Sequence, residues 1–218
     1  MNTFLFLDIN NKYFNKCLLD HCMNRFNILN IFDQSNLYSP EKYDDRIHFS
    51  LSFLNPYIIK DQNIIHKKCI NIHPSTPKYR GVCGASMALY YKDLQFGATA
   101  HYIDEKIDNG PIITVKYFDI VDRIDCYSLG MEAKHASMIL AMDILLQIFH
   151  TKKLPIESTI DTWGYVMMKR NLFNKWMTVE LNDNQELNDK IRACYNNAHP
   201  GPYIRINNIT YELKMIQQ

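Results

Sequence analysis

Three residue types in this chain can act together on an acyl group: an amide, an imidazole and a carboxylate. Asn71 and His73 stand two apart in "INIHPSTPKYRG" (70–81), at the end of an apolar run and just before a proline and a polar loop. Asp108 follows 37 positions after Asn71, within "GATAHYIDEKIDNGPII" (97–113). An amide N–H can bond an oxygen that gains negative charge. An imidazole can carry a proton near neutral pH, and a carboxylate can orient it. Each residue also has a structural reading. Asn71 can cap a loop through nearby backbone, a histidine beside a proline is more often structural, and "DNG" between strands is an ordinary hairpin turn. It is the set that points to chemistry, because all three are predicted at one rim of the fold.

The elements that must bring them there can be read from apolar periodicity. "TFLFLD" (3–8), "FNILNIF" (26–32), "RIHFSLSFL" (46–54) and "KCINIH" (68–73) read as strands, the third stopped by Asn55-Pro56. Helix patterns lie between them. One follows the first strand with Tyr13, Cys17 and Leu18 on one face, and another covers 57–68. Strands alternating with helices predict an α/β fold: a Rossmann-like, mostly parallel sheet with helices on both faces. In such sheets ligands sit beyond the carboxyl ends of the strands, where Asn71 and His73 fall.

Further on, 83–93 reads as a helix, and "FGATAHYI" and "PIITVKYFDIV" as strands joined by "DEKIDNG". The longest helix pattern covers 125–150, with Asp125 as its cap and Leu129, Ala133, Ala136, Leu140, Ile144 and Phe149 on a buried side. "KKLP" (152–155) divides the chain into a catalytic domain, 1–152, and a small C-terminal α+β segment, 153–218. That segment has a helix near 183–195 and ends in a β-hairpin turning at Asn207-Asn208.

The totals narrow the function. The chain has 218 residues, 47% hydrophobic and 22% charged, which suits one well-filled globular core. A net charge of +1 disfavours a nucleic-acid partner held by many phosphate contacts. The six cysteines show no metal-site spacing and the opening residues no secretory pattern, so free thiols in a cytoplasmic protein are expected. No apolar run approaches a membrane span of roughly 20 residues. All seven glycines lie at position 81 or later, so the first strand is followed by "DINNKY" and not by a glycine-rich phosphate loop. NAD, FAD and a Walker-type ATP site are not expected there.

The ordered elements "NIHPS", "YRG", "GATAH" and "DNGPII" resemble the signature of folate-dependent formyltransferases over roughly residues 46–115. The resemblance implies 10-formyltetrahydrofolate as donor and no metal. It also implies a catalytic trio of Asn71, His73 and Asp108, with Thr99 and His101 on the strand leading to the aspartate. In the implied mechanism His73 takes the proton of an attacking amine and Asn71 bonds the oxygen of the tetrahedral intermediate. Asp108 orients His73 or a water and helps a proton reach the leaving folate nitrogen. The pterin would be held by "FLNPYII" and "YIDEKID", largely through backbone groups. Phe53, Leu54, Tyr57, Ile59, Tyr102, Ile103, Asp104 and Lys106 are the residues this places there.

Within the family, the chain is similar to N-formyltransferases of nucleotide-linked amino sugars. Methionyl-tRNA formyltransferases carry a further β-barrel domain, glycinamide ribonucleotide formyltransferases a glycine-bearing loop after the first strand, and formyltetrahydrofolate deformylases an extra regulatory domain. The tail "IRACYNNAHPGPYIRINNITYEL" resembles the closing helix and strands of enzymes acting on 4-amino-4,6-dideoxy sugars linked to dTDP or GDP, a step in O-antigen or other surface polysaccharide synthesis. One departure stands out: many relatives read "HPSLLPxYRG", whereas this chain reads "HPSTPKYRG", one residue shorter.

For the acceptor, Asn11, Lys12, Lys78 and Arg80 on rim loops and Tyr79 as a stacking ring are the candidates. Trp163 and Tyr165 read as core or interface residues, and Met138, Met142, Met167 and Met168 as packing. Cys83 has no feature that would lower its pKa. Other amine acceptors (methionyl-tRNA, glycinamide ribonucleotide or hydroxyornithine) and a non-catalytic folate-binding module are the alternatives. The terminal hairpin leaves an edge through which a homodimer could form.

Overall fold

A computed structural model describes residues 1–122, 124–180, 184–195 and 201–213. The chain is built around a six-stranded sheet. Its first four strands in sequence are β1 (Asn2–Leu7), β2 (Asn27–Phe32), β3 (Phe49–Phe53) and β4 (Cys69–His73). After a two-residue strand outside this sheet, β5 (Arg80–Gly81), come β6 (Gln95–Tyr102) and β7 (Ile112–Asp119). The order across the sheet is β2-β1-β3-β4-β6-β7. β2, β1, β3 and β4 run parallel; β6 pairs antiparallel with β4, and β7 antiparallel with β6, so β7 runs in the direction of the first four.

Strand alternation divides the core between two faces, as a period of two requires. Leu5, Leu51, Ile70, Ile72 and Ala98 face one side. There they meet Phe14, Leu18 and Cys22 of α1 (Lys12–Met23) and Leu140, Ile144 and Ile148 of a long later helix, α4 (Cys126–Thr151). Phe4, Phe6 and Cys69 face the other side, where Tyr38 and Ile64 of α2 (Gln62–His66) cover them. This is the expected α/β architecture.

Two local expectations change. On α1 the buried stripe is Phe14, Leu18 and Cys22, spaced four apart, while Tyr13 is exposed. The helix predicted over 57–68 shortens to Gln62–His66, because Asp61 caps it by accepting the Asn63 N–H at 2.8 Å. By contrast α4 starts as expected, with the Asp125 carboxylate accepting the Ser128 N–H at 2.8 Å. It ends against Lys152, whose φ is 55°.

Beyond α4 the chain packs back on α3 (Gly84–Tyr90). Phe173 of α5 (Arg170–Trp176), and Ala193 and Cys194 of α6 (Asn184–Cys194), share a cluster with Met87, Leu89, Phe96 and Leu129. Just before α5, β8 (Met167–Met168) pairs in parallel with β5. A second sheet joins β9 (Thr178–Glu180), β10 (Tyr203–Ile206) and β11 (Ile209–Glu212) in the order β11-β10-β9. The predicted hairpin is formed: Asn207 and Asn208 take φ of 48° and 65°, the pair of positive values that a two-residue turn matched to strand twist needs. Among the described residues no helix is long and apolar enough to cross a membrane.

Candidate active site

The sheet register lines up the site. Ser52 on β3 pairs with Asn71 on β4, and Asn71 pairs with His101 on β6, so the three side chains form one cross-strand row. His73 follows two residues after Asn71 and therefore projects from the same face. Asp108 arrives from the connection between β6 and β7. It sits buried with one carboxylate oxygen toward each histidine: Oδ2 is 3.5 Å from His73 Nδ1, and Oδ1 is 3.5 Å from His101 Nε2.

Hydrogen bonds fix which ring nitrogens carry protons. His73 Nε2 lies 2.9 Å from the Tyr79 carbonyl oxygen, and His101 Nδ1 lies 2.8 Å from that of Tyr102. A carbonyl oxygen only accepts, so both these nitrogens donate. The remaining nitrogens, His73 Nδ1 and His101 Nε2, carry lone pairs when the rings are neutral. Asn71 Nδ2 donates to His101 Nε2 at 3.0 Å. One of its two hydrogens is thereby used, and the other is left for the cleft.

The carboxylate is held in its charged form. Burial works to raise the pKa of Asp108, but the adjoining His73 and His101 imidazoles and the Gly81 N–H outweigh it and bring it down to about 2. The Gly81 N–H reaches Oδ2 at 2.9 Å. Gly81 has φ +84°, and a Cβ there would collide with the Met168 carbonyl, so only glycine permits this approach. Trp163 packs edge-on against both imidazoles, with centroids 4.9 Å from His101 and 6.1 Å from His73. Its indole N–H is tied to the Gly110 carbonyl at 2.8 Å.

These groups open on a cleft of about 460 Å³. Tyr57, Ile58, Ile59, Ile103 and Ile107 are among the residues lining it, as are Gly81, Val82 and residues 167–170. The arrangement provides a proton-accepting nitrogen, an amide donor and a fixed negative charge around a space large enough for a drug-sized molecule. Among the described residues no cluster of His, Cys, Asp and Glu is placed to hold a metal ion.

Residues 53–143 match the family model described as formyl transferase, a span that contains Asn71, His73, His101 and Asp108. These residues are a formyl transferase domain. A methionyl-tRNA formyltransferase from Thermosynechococcus vestitus is 26% identical over 132 residues, covering 60% of this chain and 39% of that one. The chain spans less than half the length of this and other curated relatives it matches. Among solved structures, a 4-N formyltransferase from Francisella tularensis superposes with a TM-score of 0.80 at 15% identity, covering 100% of this chain and 98% of that one. An N-formyltransferase from Helicobacter canadensis, in complex with folinic acid and dTDP-3-aminofucose, superposes with 0.68 at 17% identity, over 95% and 84% of the two chains. These likenesses establish the formyltransferase fold.

Within the formyl transferase domain, the residues expected at the pterin separate into two groups. Tyr57, Ile59, Ile103, Asp104 and Lys106 line the cleft. Phe53 and Tyr102 do not: both are buried in the core on the face covered by α1 and α4, and the Tyr102 hydroxyl donates to the Pro155 carbonyl at 2.7 Å. Leu54 packs against the same core. Alternation explains the split, because Ser52 and His101 face the cleft and their next neighbours must face away.

The residues expected at the acceptor are placed differently from the expectation. Asn11 binds the Asp8 carboxylate at 2.7 Å and accepts from Lys134 at 3.1 Å, and neither it nor Lys12 lines the cleft. Lys78 pairs with Asp93 at 2.6 Å, and the buried Tyr79 donates its hydroxyl to the same carboxylate at 2.7 Å. Both are thus committed away from the cleft. Arg80 turns inward onto the segment carrying Asp108. Besides Lys106, the cations that line the cleft are Lys169 and Arg170, which the sequence did not single out. Met167 and Met168, expected as packing, line the cleft beside them, and Tyr165 is fully exposed. Burial pushes the Cys83 thiol up to about 11, against the neighbouring Arg170, so it is no nucleophile at neutral pH.

Proposed function

We propose that this protein transfers the formyl group of 10-formyltetrahydrofolate to the amine of a nucleotide-linked amino-dideoxy sugar. A 4-amino-4,6-dideoxyhexose on dTDP or GDP, used in O-antigen or other surface polysaccharide synthesis, is the acceptor the reading favours. The observation that carries it is the convergence of Asn71, His73 and Asp108, with His101, on one cleft, all four within the span that matches the formyl transferase model.

The cleft suits such a donor in kind. The apolar side chains of Tyr57, Ile58, Ile59, Ile103 and Ile107 offer surface for a flat heterocycle. When bound, the folate supplies an acyl group at the oxidation level of formate. As the amine nitrogen bonds the formyl carbon, His73 accepts the amine's proton at Nδ1, the nitrogen with a free lone pair; the bond from that carbon to the folate nitrogen then breaks as a proton returns to that nitrogen, and tetrahydrofolate leaves. Asp108 stabilises the imidazolium from 3.5 Å. The unused N–H of Asn71 bonds the formyl oxygen as it gains charge, with His101 holding the amide in place. The amine and the anionic part of the acceptor approach past Met167, Met168, Lys169 and Arg170. Support for a sugar acceptor comes from the Helicobacter canadensis neighbour bound to dTDP-3-aminofucose.

Curated relatives named methionyl-tRNA formyltransferase favour a second acceptor, an aminoacyl-tRNA. The net charge of +1 argues against a tRNA held by many phosphates. The test measures tetrahydrofolate release with dTDP- and GDP-linked 4-amino and 3-amino sugars, beside methionyl-tRNA. Turnover of sugars is expected. Turnover of methionyl-tRNA alone would overturn the sugar assignment.

A further inference from the structure

We propose that Arg80 is a positioning residue that holds the turn carrying Asp108, so that the carboxylate stands between His73 and His101. Its guanidinium donates from Nε to the Asp108 carbonyl at 2.6 Å. One terminal nitrogen donates to Asn109 Oδ1 at 3.0 Å and to the Ile107 carbonyl at 3.3 Å. The other lies 3.4 Å from the Gly164 carbonyl. Three consecutive residues of one turn, and a fourth from the segment bearing Trp163, are thus gathered on a single side chain.

The next residue completes the grip. Gly81 donates its N–H to Asp108 Oδ2, so two neighbouring positions hold the main chain and the side chain of the same aspartate. Both belong to β5, which is pinned by β8: Arg80 pairs with Met167, Gly81 with Met168, and the Val82 N–H reaches the Met168 carbonyl at 2.9 Å. Asp108 needs such a restraint. Its φ of 45° lies in the left-handed region, which side chains other than glycine occupy at a cost and keep only where the surroundings impose it. A planar fork with five donors can serve acceptors in several directions at once, whereas an ammonium cannot reach them all. The same commitment removes Arg80 from the acceptor's phosphates, because its donors point into the protein.

The catalytic half of this inference rests on the formyl-transfer reading, so the test has an arm that does not. In the folded protein, NMR signals of the His73 and His101 imidazoles at neutral pH are compared among wild type, Asp108→Asn, Arg80→Met, Arg80→Lys and Asn109→Ala. Arg80→Met is expected to move both rings' signals in the direction that Asp108→Asn moves them. Arg80→Lys should give a partial shift, and Asn109→Ala, which removes one link, a smaller one. Unmoved imidazole signals in Arg80→Lys and Asn109→Ala would overturn the proposal even if Arg80→Met fails to fold. In the kinetic arm, Arg80→Met is expected to lower kcat by about 10²-fold, the scale of a misplacement near 1 Å, with KM for both substrates within about threefold. In an Asp108→Asn background the same substitution should add less than about twofold, since both act through one carboxylate. A raised acceptor KM with unchanged kcat would instead make Arg80 a substrate contact. Wild type inactive on every acceptor would sink the functional reading while leaving the NMR result to decide the structural one.

Discussion

His73 and Asp108 face each other with Nδ1 and Oδ2 3.5 Å apart, although one belongs to a central strand and the other to a loop. Because the opposite nitrogen of the ring is bonded to the Tyr79 carbonyl, any proton His73 gains must arrive on the side of that carboxylate. The pair is thus arranged so that a proton gained at Nδ1 faces the ionised carboxylate.

Asp108→Asn keeps the size of the side chain and removes its charge. Turnover, followed by tetrahydrofolate release, should fall on the order of 10²-fold or more, the usual scale of acid–base assistance. KM values should stay within about threefold. A variant retaining half the wild-type kcat would mean that the carboxylate takes no part.

The same aspartate should stabilise the fold in a pH-dependent way. Its pKa is lowered in the folded protein to about 2, from 3.8, so the contribution is complete above the unfolded value and disappears as pH falls from about 4 toward 2. The shift corresponds to about 2 kcal/mol. Urea unfolding of wild type and Asp108→Asn at pH 6, 4 and 2.5 should therefore show a stability difference that shrinks toward acid. A difference constant with pH would contradict it.

Asn71→Ala removes the amide that points a free N–H into the cleft. Loss of one such donor costs roughly 2.7–4 kcal/mol of transition-state stabilisation, or about 10²–10³ in kcat. Binding of a non-reactive folate, measured by calorimetry, should change little. If kcat holds and only folate affinity drops, Asn71 is a binding residue and not an oxyanion donor.

Lys169 and Arg170 are the cations to remove if the acceptor carries a diphosphate. Each alanine substitution should raise the acceptor KM by about tenfold, a typical value for one charge-assisted contact of roughly 1.5 kcal/mol, and leave the folate KM unchanged. The effect should also weaken as salt is raised. Equal KM values for variants and wild type would place the diphosphate elsewhere.

The parts of this molecule that were legible in the sequence are those governed by short-range rules. Strand and helix order followed from periodicity, the Asp125 cap and the Asn207-Asn208 turn from local side-chain chemistry, and the nearness of His73 and Asp108 was expected from an ordered set of motifs. What escaped depended on direction and distance. Phe53 and Tyr102 sit beside cleft residues in the chain yet face the core, and only register tells which of two neighbours looks inward. Arg80 looked like a surface cation because its partners lie 27 to 84 positions away. Lys78 and Tyr79 looked available because Asp93, which engages both, lies beyond the helix that follows. Lys169 and Arg170 gave no signal, since nothing local tells that β8 returns to pair with β5.

The Ser52–Asn71–His101 row also constrains how this scaffold can be rebuilt. An insertion or deletion of odd length within β6 would turn His101 toward the helices and present Ala100 or Tyr102 to the substrates, whereas an even one keeps the facing but moves the imidazole along the strand. Chimeras between this protein and a longer relative should therefore be joined in the loops that flank β6, with the strand exchanged whole.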